Sequence, residues 1–295
     1  MYLLHLQSLR KKKNGDMKID LSEIIKQKNP ALFRIIPGFI LNKIKRIVRE
    51  KDLNIILKKL EKKQDFEFIK GGLDALSVRS ENIGFNNLPK NGNVIVVSNH
   101  PLGGLDGVAM IRELGKKRKD IKFLVNDILT SIKPLNEYFI PVNKHGLNSR
   151  ENVRRLEKLF ESENCIVIFP SGLVSRKEKN IIKDLEWKKT FIGKARKYKT
   201  PIYPVYIDGK NSRKFYRIAN WRKKLRIKIN LEMFLLPNEM FLQKGNSIKF
   251  IMGKPIDIKL LNDRKSDQEW AQLIKEFVYQ IKNNVNFDFK DYIKE

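Results

Sequence analysis

The residue types that could do chemistry lie closest together in Ser98-Asn-His-Pro-Leu-Gly-Gly-Leu-Asp106, where His100 and Asp106 are separated by five residues that include a glycine pair. A tight return through the glycines brings an imidazole and a carboxylate within hydrogen-bond reach. The carboxylate would fix one tautomer of the ring and stabilise its protonated form. The other ring nitrogen is then left to take a proton from a hydroxyl group. General-base help of this kind is worth roughly 10²–10⁴-fold in rate. A His near an Asp is also a common structural hydrogen bond, so the pair needs support from its surroundings.

The elements that must position it are legible. Val94-Ile-Val-Val97 runs directly into the His100 loop, and Ile121–Val125, Cys165–Phe169 and Ile202–Ile207 are similar short β-rich apolar runs. They read as buried strands of a mainly parallel sheet, and ligands of such sheets sit at the carboxyl ends of strands. Helical stretches are expected around 108–117 and 149–163, and strand alternating with helix indicates an α/β fold. Leu225–Ile229 and Ser247–Met252 alternate apolar and basic residues, which predicts half-exposed strands near a sheet edge. A last helix should open on a Ser266/Glu269 capping box and bury Trp270, Ile274, Phe277, Val278 and Ile281.

Ahead of the sheet, residues 17–62 read as helical, broken at Pro30 and Pro37. Phe39, Ile40, Ile44, Ile47 and Val48 recur at helical spacing among Lys43, Lys45, Arg46 and Arg49. Such a basic amphipathic helix fits the headgroup plane of an anionic membrane, and equally a surface helix packed on its own domain. The expected organisation is a basic tail over 1–16, an amphipathic helical segment over 17–75 and an α/β domain over 76–295. Met17 is an alternative start to Met1.

Composition limits the partners. The 295 residues suffice for one large α/β domain with a helical appendage, and 61 Lys and Arg against 33 Asp and Glu give a net charge of +28, so the surface met by the chain is expected to be anionic. The single Cys165 excludes an internal disulfide and reads as a buried strand thiol. With His5, His100 and His145 it makes no metal-ligand spacing, and no metal is expected. No run of 18 or more apolar residues occurs, and the N-terminus lacks the apolar core of a secretory signal. The expectation is a soluble or peripheral protein.

Several segments together resemble the lysophospholipid acyltransferase superfamily, the lysophosphatidic acid acyltransferases and their relatives. The family's N-H-x-x-x-x-D is matched by Asn99, His100 and Asp106, with five intervening residues in place of four. Phe169-Pro-Ser-Gly-Leu-Val-Ser-Arg176 is similar to F-P-E-G-T-R-S, with Ser171 in the place of the glutamate. Phe139-Ile-Pro-Val-Asn-Lys144 fits the second motif, with Lys144 near its usual arginine, and Pro201-Ile-Tyr-Pro-Val205 resembles the fourth. Four segments in order over about 93–207 are more specific than any one of them.

The resemblance implies that His100, oriented by Asp106, deprotonates an acceptor hydroxyl, which then attacks an acyl thioester. Asn99, Phe169, Pro170, Ser171 and Gly172 would form the acceptor site. Lys144 and Arg176 would hold its phosphate or other anionic head, with Lys188 or Lys189 of Trp187-Lys-Lys-Thr190 as further candidates. It implies no cofactor, with acyl-acyl carrier protein or acyl-coenzyme A as co-substrate, and a peripheral or monotopic place on the cytoplasmic face of the cell membrane. The expected acceptor is 1-acylglycerol 3-phosphate. The departures in the first and third motifs make an ornithine or glycine lysolipid the alternative.

Two other classes compete. Ser98, Ser171 and Ser175 lie in the same motifs as the His and Asp, but the G-x-S-x-G elbow of a serine hydrolase is absent. The basic charge admits non-specific nucleic-acid binding, but no zinc finger, ribonucleoprotein motif or helix-turn-helix is present, so no specific nucleic acid is expected.

Overall fold

The computed structural model describes residues 17–125, 133–141 and 149–294. Its elements, in chain order, begin with five helices: α1 (Leu21–Lys28), α2 (Pro30–Ile35), α3 (Gly38–Ile47), α4 (Glu50–Lys59) and α5 (Asp65–Ala75). There follow β1 (Arg79–Ile83), β2 (Val94–Ser98), α6 (Gly104–Leu114), β3 (Ile121–Val125), β4 (Phe139–Pro141), α7 (Ser149–Glu161) and β5 (Cys165–Ile168). The remainder comprises β6 (Arg176–Glu178), β7 (Ile181–Lys183), α8 (Thr190–Tyr198), β8 (Ile202–Asp208), α9 (Arg213–Lys224), α10 (Leu236–Leu242), β9 (Ser247–Met252), α11 (Asp267–Gln280) and α12 (Phe289–Tyr292).

The chain forms two compact units. One comprises residues up to 78 together with 125–141 and 211–246; the other comprises 79–124, 142–210 and 247–295. Residues 211–246, placed with the α/β domain on sequence, thus fall with the N-terminal helices.

In the second unit the strands run in the order β1-β9-β8-β2-β5-β3. β2, β3, β5 and β8 are mutually parallel, β9 is antiparallel to β8, and β1 is parallel to β9. The α/β class read from the alternation of strand and helix holds. Every residue of β2 is buried, as a central strand of a covered sheet requires. One face is packed by α8, α11 and α12, where Trp187, Phe191, Trp270, Ile274, Phe277 and Phe289 form the aromatic part of the core. The capping box of α11 forms: Glu269 N–H donates to Ser266 Oγ and Ser266 N–H donates to the Glu269 carboxylate. Cys165 is buried, and burial pushes its thiol pKa up to about 12, consistent with an inert strand residue.

Two strand expectations need correction. Leu225–Ile229 is not a strand: Leu225 ends α9, Arg226 takes a left-handed conformation at φ 55°, and Leu225 and Ile229 are exposed. The alternation there is that of a helix end turning into a solvent-facing loop. Ser247–Met252 is a strand near the sheet edge as expected, one position in from it, but it is more buried than half-exposed. Arg79-Ser-Glu-Asn-Ile83 takes the edge, and its polarity hid it from a search for apolar runs.

In the first unit, Pro30 and Pro37 divide the helices as their missing N–H groups and fixed φ dictate. The core seats Leu21, Ile25 and Val48 against Phe33, Ile36, Leu41 and Ile44. Arg49, left-handed at φ 55°, turns the chain from α3 into α4. Its guanidinium donates to Asn238 Oδ1 at 3.0 Å and lies over the Phe241 ring, tying that corner to α10. No helix among the described residues is long and apolar enough to cross a membrane.

Candidate active site

The site is built in the second unit where β2 ends. Asn99 anchors the exit: its Nδ2 donates to the Ile207 carbonyl at 2.9 Å, and its Oδ1 accepts from the Ile207 N–H at 2.7 Å. A buried amide has thus closed the sheet between β2 and β8, so both ends of the side chain are committed to backbone and it acts as a clamp. The chain then turns through Gly103, at φ 78° and ψ −137°, a backbone region open in practice only to glycine, and enters α6.

Asp106 is the third residue of that helix and is fully buried. Its Oδ2 accepts from the N–H groups of Leu102 (2.7 Å) and Gly103 (3.1 Å), as a carboxylate in a first helical turn can. The same oxygen lies 3.1 Å from His100 Nδ1. The approach is oblique. The distance is that of an ion pair, but the ring N–H lacks the alignment of a full hydrogen bond, and Asp106 Oδ1 has no hydrogen-bond partner among the described residues. Burial pushes the Asp106 pKa up, opposed by His100 and by the Leu102 N–H. The fifth intervening residue therefore does not separate the pair, because the Gly103 turn takes up the extra length.

Phe169 stacks on the His100 ring with centroids 4.1 Å apart and 20° between planes, and Phe123 lies behind it. With Nδ1 turned toward Asp106, Nε2 is the nitrogen left for a substrate, and the side chain is 17% exposed. Loop 169–175 holds the histidine from the other side, since Ser175 N–H donates to the His100 carbonyl at 2.8 Å.

The residue types sought in the third motif are mostly spent on their own loop. Ser171 Oγ donates to the Leu173 carbonyl at 2.6 Å. Arg176 is buried, and its Nη1 donates to the carbonyls of Val174 and Ser175. Pro170 is buried, and its carbonyl accepts from Lys188 N–H at 3.1 Å. Gly172 is left-handed at φ 63°, and a Cβ there would come within 2.9 Å of Lys188 Nζ. The ammonium of exposed Lys188 is thereby placed over the loop, whereas Lys189 serves as the N-cap position of α8. Lys144 lies outside the described residues.

One group that motif reading passed over is central. Asp184, 5% exposed, accepts through Oδ1 from the His100 N–H (3.1 Å) and the Ser175 hydroxyl (2.5 Å), and through Oδ2 from Trp187 Nε1 (2.9 Å). Its own N–H donates to Tyr279 Oη at 2.8 Å. The carboxylate thus joins the histidine loop to the third-motif loop, and the residue's main-chain N–H ties both to α11. A second carboxylate, Glu113, holds α6 to the edge strand by accepting from Ser80, Asn82 and Lys116. Both residues combine a neighbour in sequence, Trp187 or Lys116, with partners more than thirty residues away, and neither makes a pattern. The only signal for Asp184 was its place just before Trp187-Lys-Lys.

A histidine backed by a carboxylate and open on its other nitrogen can deprotonate a hydroxyl, and the Lys188 ammonium over the adjoining loop suits an anionic molecule. A family model for acyltransferases matches residues 23–288. The lyso-glycine lipid O-acyltransferase of Phocaeicola vulgatus is 39% identical over 264 residues, covering 89% of this chain and 95% of that protein. The protein of the same name from Bacteroides thetaiotaomicron is 37% identical over 264 residues, covering 89% of this chain and 97% of the relative. Among solved structures, the 1-acyl-sn-glycerophosphate acyltransferase of Thermotoga maritima aligns with a TM-score of 0.48 and 18% identity, over 90% of this chain and 95% of that one.

Proposed function

Because this chain belongs to the acyltransferase family, we propose that it esterifies the hydroxyl of a lyso-glycine lipid with an acyl group taken from a thioester, with His100 as general base. The observation that carries the acceptor is the 39% and 37% identity to two lyso-glycine lipid O-acyltransferases over nearly the whole of both chains. Of the two acceptors raised by the sequence, the amino-acid lysolipid is therefore preferred over 1-acylglycerol 3-phosphate. Glycine has no side-chain hydroxyl, so the group to be acylated must be carried by the lipid's fatty chain, and the head group presents a carboxylate.

His100 Nε2 accepts the hydroxyl proton as the oxygen attacks the thioester carbonyl. The imidazolium is stabilised by Asp106 behind it. As the tetrahedral centre collapses, the carbon–sulfur bond breaks and the departing thiolate takes the proton back from His100, so the ring ends as it began and no acyl-enzyme forms. Phe169 fixes the plane of the ring, while Asp184 and Ser175 fix the main chain beneath it. Lys188, beside Gly172, is suited to the acceptor carboxylate. Arg176 serves to shape the loop, given its bonds to the Val174 and Ser175 carbonyls.

The acyl donor is acyl carrier protein or acyl-coenzyme A, and the site of action is the cytoplasmic face of an anionic membrane. Support for a membrane surface comes from the end of α2 and the start of α3: Ile35, Phe39 and Ile40 are 76%, 73% and 39% exposed, among Arg34, Lys43 and Arg46. The test is transfer of a labelled acyl group to a panel containing lyso-glycine lipid and 1-acylglycerol 3-phosphate. Preferential labelling of the glycine lipid is expected. Transfer to the phosphate acceptor alone would return the chain to glycerolipid synthesis.

A further inference from the structure

The first unit carries a second region where apolar side chains stand in water among cations. Between 211 and 230 there are eight Lys and Arg and no Asp or Glu. Within that run Trp221, Leu225 and Ile229 are 58%, 50% and 38% exposed, flanked by exposed Lys224, Arg226 and Lys228. Trp221 and Leu225 share a helix face, one turn apart, because Leu225 N–H donates to the Trp221 carbonyl at 2.9 Å.

The turn that carries the chain on to Ile229 is built rather than frayed. Ile227 N–H donates to the Arg222 carbonyl at 3.1 Å around left-handed Arg226, a helix-ending motif usually made with glycine. Arg222 Nη1 donates to the Ile227 carbonyl at 2.9 Å, and its Nε donates to the buried Glu232 at 3.0 Å. An arginine–glutamate clip therefore holds in place the turn that follows the exposed Trp221 and Leu225 and leads to exposed Ile229.

We propose that this end of α9 is a membrane-docking surface, with Trp221, Leu225 and Ile229 entering the headgroup region of an anionic bilayer while the flanking Lys and Arg meet lipid phosphates. The occupant follows from chemistry. A nucleic acid would satisfy the cations but gain little from exposed Trp, Leu and Ile, whereas an anionic bilayer interface takes both, and it is the surface on which a lipid acceptor is presented; an acidic protein partner is an outcome that the test separates. The docking surface lies on a different element from the exposed residues of α3. It rests on the enzyme working on membrane lipids but not on which head group the acceptor bears.

The other two tryptophans, Trp187 and Trp270, are buried, so Trp221 can report alone on contact with lipid. The full-length protein is mixed with phosphatidylglycerol vesicles carrying brominated acyl chains, and tryptophan quenching is compared between the native chain and Trp221→Phe. Quenching that is present in the native chain and lost in the variant is expected. Reversal of Lys224, Arg226 and Lys228 to Glu should lower the vesicle partition by about two orders of magnitude. Transfer to detergent-dispersed acceptor should persist, which shows that the variants fold. Vesicle binding without quenching of Trp221, no vesicle binding at all, or a Trp221 response to acyl carrier protein or DNA but not to vesicles would overturn the proposal. Loss of acyl transfer to lyso-glycine lipid with quenching intact would instead count against the acceptor assignment alone.

Discussion

In the unit that holds His100, the buried ionisable groups are met from several sides: Asp184 takes three hydrogen bonds and Glu113 joins Ser80, Asn82 and Lys116. In the helical unit, by contrast, apolar residues are left in water. Of the large apolar side chains that are exposed among the described residues, eight lie there, including Phe39, Ile40, Trp221 and Leu225, and four in the catalytic unit. On the functions proposed above, the difference matches two kinds of work. A proton transfer needs a ring held to within fractions of an ångström, which closed polar networks provide. A docking surface needs no such closure, and its apolar groups contribute to binding only because they are not already buried.

If that contrast is right, substitutions in the catalytic unit should separate chemistry from stability. Asp106→Asn keeps the shape but cannot stabilise the imidazolium, and kcat in an acyl-transfer assay should fall roughly 10²-fold or more. The fold should hold, because a carboxylate with one oxygen lacking a hydrogen-bond partner and its pKa raised by burial opposes folding when ionised.

Asn99→Ala tests the clamp. It leaves the Ile207 N–H and carbonyl without their partners, and the expected cost is about 1–3 kcal/mol in chemical denaturation.

Acid sharpens the contrast further. Burial acts to raise the pKa of Asp120, but the hydrogen bond from Arg118 outweighs it and the folded value lies below 3.8. For Glu113, burial is likewise outweighed, by Lys116, Ser80 and Asn82, and the folded value lies below 4.5. Both contribute stability above those values and lose it as pH falls through the folded ones. Asp106 has the opposite sign: its folded pKa is raised above 3.8, so its contribution falls as pH rises from there. The stability of Asp106→Asn relative to the native chain should therefore grow from below pH 3.8 toward neutrality, as denaturation midpoints across that range would show. A difference independent of pH would mean that Asp106 does not titrate as its burial requires.

The smallest effect on stability is expected from Phe39→Ser with Ile40→Ser, within about 0.5 kcal/mol of the native chain, because both side chains are exposed. The same variant should bind anionic vesicles less well. A large loss of stability would mean that this face packs on protein.

The sequence made the ends of β2 and β5 readable because a buried strand stopping at Asn99-His100 or Phe169-Pro170 is an abrupt change of character. It could not show Asp184, whose partners lie 84 residues back in the His100 loop and 95 residues on at Tyr279; such a network is a property of the folded chain. The same limit explains the misreading of Leu225–Ile229. Alternating apolar and basic residues predict a strand only if the apolar ones face inward, and here Leu225 and Ile229 face water. Arg176 shows the converse: its motif position suggested an anion ligand, whereas its guanidinium is turned onto the carbonyls of its own loop.

The most direct test of the central assignment is His100→Ala, compared with the native chain for transfer of a labelled acyl group from a thioester donor to lyso-glycine lipid, with folding checked by circular dichroism. A folded variant whose transfer rate falls by roughly 10²–10⁴-fold is expected; a folded variant that transfers at the native rate would rule out His100 as the base.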